Sequence, residues 1–89
     1  MQITLEGKVA LITGGGSGIG RASCLAFAQA GAAVVVAGRT ESKLAAVASE
    51  IVAAGGRAIV AVGDVSRGED VRAMIAAAVQ HFGGLDVLF

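Results

Sequence analysis

The chain alternates between two hydrophobic rhythms. Short apolar runs recur at Lys8 to Ile12, at Val34-Val35-Val36-Ala37 and at Ala58-Ile59-Val60-Ala61-Val62, and a fourth begins at Leu85 and reaches Phe89. Runs this short and this uniformly apolar suit strands buried on both faces of a sheet. Between them, small and apolar positions fall three and four residues apart, the spacing of one helix face. Ile19, Ala22, Ser23, Ala26, Phe27 and Ala30 predict a first helix that opens near Gly18. Leu44, Val47, Ala48, Ile51 and Val52 predict a second, and Val71, Met74, Ile75, Ala78, Val79 and Phe82 a third. The punctuation agrees with these limits. Gly31, Gly55-Gly56 and Gly83-Gly84 each follow a helical pattern, as C-terminal caps do. Thr40 stands as the N-cap of the second helix, and Ser66 with Glu69 forms a capping box for the third.

The order is βαβαβαβ, which predicts an α/β fold with a parallel sheet and helices on both faces. Right-handed crossovers narrow the layout. The Rossmann-type doubly wound sheet in order 3-2-1-4 puts the first two helices on one face and the third on the other. Strands one and four then flank the reversal, and ligands of such sheets bind at the carboxyl ends of the strands there. The whole chain, residues 1–89, reads as part of one domain.

Composition narrows the class. Fifty-five per cent of residues are apolar, so the chain forms a core. Seven basic side chains balance seven acidic ones, which leaves no net field to draw nucleic acid or an anionic membrane. Arg57, Arg67 and Arg72 are scattered, without the interleaved aromatics of a nucleic-acid surface. Cys24 stands alone, which fits a reducing compartment, and no basic-then-apolar leader opens the chain. No apolar run reaches the roughly 20 residues that span a bilayer. A cytoplasmic protein is expected. His81 has no metal or nucleophile partner at a telling spacing, so no metal site is expected.

The segment Thr13-Gly14-Gly15-Gly16-Ser17-Gly18-Ile19-Gly20 carries the chemistry. It lies between the first strand and the first helix, where unpaired N–H groups and the positive helix end meet. Glycines let a phosphate approach that backbone. A triphosphate-binding loop would need Lys and Ser or Thr after Gly20, but Arg21 and Ala22 stand there. A G-x-G-x-x-G fingerprint also fails, since Gly16 and Gly18 are followed by Arg21. The pattern T-G-x-x-x-G-I-G fits in full. With Leu5-Glu6-Gly7-Lys8-Val9-Ala10, Asp64-Val65 and Gly84-Leu85-Asp86-Val87-Leu88, the chain resembles the short-chain dehydrogenase/reductase family along its whole length.

That resemblance implies roles residue by residue. Gly14 makes the tight turn, and Gly18 and Gly20 admit the cofactor and close helix packing. The Ile19 N–H faces the pyrophosphate, Ser17 offers a hydroxyl near the adenosine ribose or its phosphate, and Thr13 braces the turn. Asp64 accepts from the adenine amino group and the Val65 backbone meets the ring; the other reading of Asp64 is a carboxylate held by a helix dipole. NAD binders place an acid at the end of the second strand, where this chain has Gly38 followed by Arg39. A guanidinium there suits a 2′-phosphate, so NADP(H) is favoured and NAD(H) is the alternative. Asp86 reads as a residue at the start of a strand, and Cys24 as a small packed side chain.

The family's catalytic Ser, Tyr and Lys, and the Asn of its N-N-A-G motif, have no counterpart; the chain contains no tyrosine and no asparagine. It is expected to be the N-terminal, cofactor-binding part of an NADP(H)-dependent oxidoreductase. Such a parent passes hydride between nicotinamide and a carbonyl or alcohol substrate, and is expected to be a homo-oligomer. The alternative is a short non-catalytic polypeptide that binds a dinucleotide or a partner protein. With one helix alone on its face of the sheet, the 89 residues by themselves are expected to be aggregation-prone.

Overall fold

A computed structural model describes residues 4–89. Its elements are β1 (Val9–Ile12), α1 (Gly18–Gln29), β2 (Ala33–Gly38), α2 (Glu41–Ala53), β3 (Arg57–Val62), α3 (Gly68–Phe82) and β4 (Val87–Leu88). The four strands form one parallel sheet in the order β3-β2-β1-β4, as the hydrophobic pattern predicts. Leu11 pairs with Val35 on one side and with Leu88 on the other, and Val35 in turn pairs with Ile59.

Alternation along the two central strands divides the core. Ala10, Ile12, Val34 and Val36 face α1 and α2, where they meet Cys24, Leu44, Val47 and Ile51. Val9, Leu11, Ala33, Val35 and Ala37 face the other way, onto Met74 and Ala78 of α3. Every one of these side chains is buried. That is why β1 and β2 read as unbroken apolar runs: both faces are covered. A fully buried Leu44 or Ile51 contributes roughly 1.5–3 kcal/mol by leaving water. The edge strands β3 and β4 are only partly covered.

Three helix boundaries follow the glycines. Gly31, Gly55 and Gly83 all take positive φ, which a Cβ would resist. Thr40 is the N-cap of α2. The capping box at α3 is not formed. Both donors of Ser66, its N–H and its hydroxyl, are taken by Asp64 Oδ1 at 2.9 and 2.7 Å. The loop therefore runs one residue further, Arg67 becomes the N-cap, and Glu69 pairs with Arg67 at 2.9 Å.

The buried face of α1 also differs from the predicted stripe. Cys24 is the buried residue, flanked by Leu25, Phe27 and Ala28, while Ile19, Ala22 and Ala26 face outward. Ala22 and Ala26 give the predicted face little bulk, and Leu25, Phe27 and Ala28 pack on the core beside Cys24 instead. A Cβ on Gly15 would lie 3.1 Å from Cys24 Sγ, which brings that side of the helix onto the sheet.

The chain's last residues are tied to β1. Asp86 Oδ2 accepts the Val9 N–H at 2.8 Å, and the Phe89 N–H donates to Leu11 at 2.9 Å. Thr13 donates to the Phe89 carbonyl through both its N–H and its hydroxyl, each at 3.0 Å. Phe89 meets Phe27 edge to face, with ring centroids 6.3 Å apart. Among the described residues no helix is long and apolar enough to cross a membrane.

Candidate functional site

The carboxyl ends of β1, β2 and β3 open into two adjoining clefts. One, of about 370 Å³, is walled by Gly14, Gly38, Arg39, Asp64, Val65 and Ser66. The other, of about 210 Å³, is walled by Gly14, Gly16, Ser17, Arg39, Thr40 and Lys43. Arg39 and Gly14 belong to both. A small groove between α1 and α2, of about 70 Å³, lies away from these strand ends and holds none of the predicted site residues.

The glycine turn is built for close approach. Gly14 and Gly18 sit at φ +65° and +59°, left-handed backbone that suits glycine. A Cβ on Gly20 would run into the Gly14 carbonyl, so only glycine lets the first turn of α1 cross the loop. The Gly15 N–H is used on the Ala37 carbonyl at 3.0 Å, which fixes the turn to the end of β2. The N–H of Arg21 reaches the Ser17 carbonyl at 3.3 Å, the first bond of the helix. The N–H groups of Gly18, Ile19 and Gly20 precede it and have no acceptor among the described residues. They form a patch of bare donors at a positive helix end. Ile19 itself is 78% exposed, an apolar side chain standing beside that patch.

Ser17 is the N-cap of α1, yet its hydroxyl makes no capping bond. The same holds for Thr40 at α2. Both hydroxyls therefore remain free of the helix ends they adjoin, and both residues line the smaller cleft. Arg39 is exposed and makes no ion pair among the described residues. Arg21, nearest in sequence to the glycine turn, is instead held by Glu50 at 2.7 and 2.9 Å.

Across the larger cleft, Asp64 is held ionised. The hydrogen bond from the Ser66 hydroxyl lowers its pKa most, followed by that from the Ser66 N–H, and the Arg39 and Arg67 charges act the same way. Only Oδ1 is engaged; Oδ2 has no partner among the described residues and can accept. Asp64 is not a helix cap, since α3 begins four residues later. Its own N–H is held by Asp70 Oδ2 at 2.8 Å, so α3 positions the loop. Val65 is half exposed at the same wall.

All eight residues predicted for the site thus lie at one end of the sheet. Lys43 was not among them. Its spacing in α2 reads as an ordinary solvent-facing lysine, and the signal that could have found it is its place in the first turn of the helix that follows Arg39. Among the described residues no group of His, Cys, Asp and Glu could hold a metal ion.

The sequence model of the short chain dehydrogenase family matches residues 8–89. An uncharacterized oxidoreductase of Mycobacterium tuberculosis is 51% identical over 84 residues, which are 94% of this chain and 32% of that protein. A glucose 1-dehydrogenase of Gluconobacter oxydans is 45% identical over 83 residues, 92% of this chain and 31% of that protein. A crystal structure of a dehydrogenase/reductase from Sinorhizobium meliloti superimposes with a TM-score of 0.94 at 41% identity, covering 98% of this chain and 35% of that one. The chain spans about a third of the length of these relatives. A parallel sheet in the order 3-2-1-4, a T-G-x-x-x-G-I-G turn at its switch point and the match over nearly all residues agree: the chain belongs to the short-chain dehydrogenase family of oxidoreductases.

Proposed function

We propose that residues 1–89 form the adenosine-and-pyrophosphate half of an NADP(H) site, as the N-terminal part of a single dinucleotide-binding domain. The family implies a nicotinamide dinucleotide, and the residues present fit one. When bound, that cofactor supplies or accepts hydride in exchange with a carbonyl or alcohol. The observation that carries the reading is the patch of unpaired N–H groups at Gly18, Ile19 and Gly20, beside a cleft walled by Arg39.

In this reading the chain's own groups bind and orient. The bare N–H groups, with the Ile19 N–H at their centre, take the pyrophosphate, and glycine at 14, 18 and 20 keeps the approach open. The Ser17 hydroxyl reaches the ribose or its phosphate. Asp64 Oδ2 accepts from the adenine amino group, and the Val65 backbone lies along the ring. Gly38 leaves the end of β2 without a carboxylate, and Arg39 meets the 2′-phosphate with a planar, bidentate donor.

None of these groups can pass a proton to substrate. The 89 residues hold no tyrosine to act as the family's general acid, so by themselves they bind without turnover. The carbonyl or alcohol substrate belongs to the whole polypeptide. The test is Arg39→Ala in the whole polypeptide that carries these residues, with NADPH and NADH compared by titration calorimetry. The expected result is about tenfold weaker NADPH binding with NADH unchanged, the size of one lost charge-assisted contact. An unchanged NADPH-to-NADH ratio overturns the cofactor assignment.

A further inference from the structure

We infer that Lys43 is the second cation of the 2′-phosphate subsite and helps set the cofactor preference; this rests on the NADP(H) reading above. The glycine turn, residues 13–20, contains no cation of its own. A phosphomonoester carries close to two negative charges at neutral pH, so one guanidinium leaves it incompletely balanced. Lys43 lines the same cleft as Arg39 and Ser17.

Backbone packing holds it there. A Cβ on Gly16 would lie 2.9 Å from Lys43 Cβ, so the turn and the first coil of α2 are in contact. The Lys43 N–H donates to the Thr40 carbonyl at 3.1 Å, which fixes the stem of the side chain at the helix start. The charge is available as well. Neither Lys43 nor Arg39 has an ion-pair partner among the described residues, whereas Arg21 and Arg67 are each held by a glutamate. No carboxylate lines this cleft.

The hydroxyls point independently to an anion. Ser17 and Thr40 are N-caps that make no side-chain capping bond, and both wall the cleft between the two cations. Two cations, two uncommitted hydroxyls and the positive ends of α1 and α2 surround one small volume. That donor set matches a phosphate better than a bare ribose hydroxyl, which carries no charge for the two cations to balance.

The test separates the phosphate from the rest of the nucleotide. The probes are 2′,5′-ADP and 5′-AMP, which differ only by the 2′-phosphate, titrated calorimetrically into the whole polypeptide carrying residues 1–89. Lys43→Ala is expected to weaken 2′,5′-ADP about tenfold and leave 5′-AMP unchanged, with Lys43→Arg retaining most of the affinity. Lys43 is exposed, so its truncation leaves the core intact. If Arg39→Ala loses the preference for 2′,5′-ADP and Lys43→Ala keeps it, the role of Lys43 is overturned while the NADP(H) reading stands. If Lys43→Ala weakens both probes equally, its role at the 2′-phosphate is overturned too. If the unaltered protein binds both probes alike, the NADP(H) reading itself fails and the inference with it.

Discussion

Asp64 shows how one side chain can close a loop and still keep an acceptor open to a cleft. Its Oδ1 closes a turn on Ser66 while Oδ2 stays open to the cleft. Those bonds lower its pKa from the ordinary 3.8. A lowered carboxylate pKa stabilises the folded loop above 3.8, and that contribution is lost as pH falls through the lower folded value. The turn is therefore expected to be insensitive to pH across the neutral range. Ser66→Ala removes the largest cause, so the Asp64 carboxyl resonance should titrate closer to 3.8 by NMR; an unmoved midpoint would refute the assignment. Cys24 shifts the opposite way. Burial pushes its thiol up to about 11, and its sulfur lies inside the α1 side of the core. Alkylation by iodoacetamide at pH 8 is expected to proceed only through unfolding, and a rate equal to that of the denatured chain would contradict it. At this scale the sequence is legible wherever a residue acts through its own backbone position. Gly14, Gly18 and Gly20 could be assigned because a short motif places each one. Lys43 could not, because its place on the cleft comes from packing beside Gly16, 27 positions away in the chain.

Elements were legible to the extent that burial was two-sided. β1 and β2 are apolar throughout because α1 and α2 cover one face and α3 the other. Of the predicted α2 stripe, Leu44, Val47 and Ile51 lie on the core with Ala48 against it while Val52 turns outward, and Leu44→Ala is expected to cost roughly 2–5 kcal/mol in urea unfolding. Helix α1 was harder. Ala22 and Ala26, spaced as a core stripe, are too small to claim the core and face outward, while Cys24 packs beside the glycine turn. The start of α3 was misplaced because a capping box and an Asx turn competed for Ser66, and Asp64 won with two bonds from the same residue. β4 is the element with the thinnest support: two residues, one neighbouring strand and the Asp86 tie to Val9. Asp86→Ala should remove about 1–2 kcal/mol of local stability. In native-state hydrogen exchange the Phe89 amide should then lose protection before those of β1 and β2, whereas uniform loss across the sheet would mean that β4 does not open separately.

At the scale of the molecule the two sides of the sheet are unequally covered. α1 and α2 share one face, while α3 alone packs on the other. Beside α3 an apolar cleft of about 270 Å³ is lined by Leu11, Val65, Val71, Met74, Leu88 and Phe89. Leu88 and Phe89 are 59% and 55% exposed, and β4 has β1 as its one partner in the sheet. An apolar cleft next to a bare strand edge favours association, because a second chain can satisfy the edge hydrogen bonds and bury the cleft together. The isolated 89-residue chain is therefore expected to sediment as concentration-dependent oligomers and to bind a hydrophobic dye. Leu88 is largely exposed, so Leu88→Lys puts a charge on that edge while the buried side chains of β1 and β2 stay unchanged, and it should shift the sedimentation toward monomer while the secondary structure persists. If the unaltered chain instead unfolds as a monomer in one sharp, reversible, concentration-independent transition, the exposed cleft does not drive association. The sheet's two buried strands would then suffice to hold these 89 residues together alone.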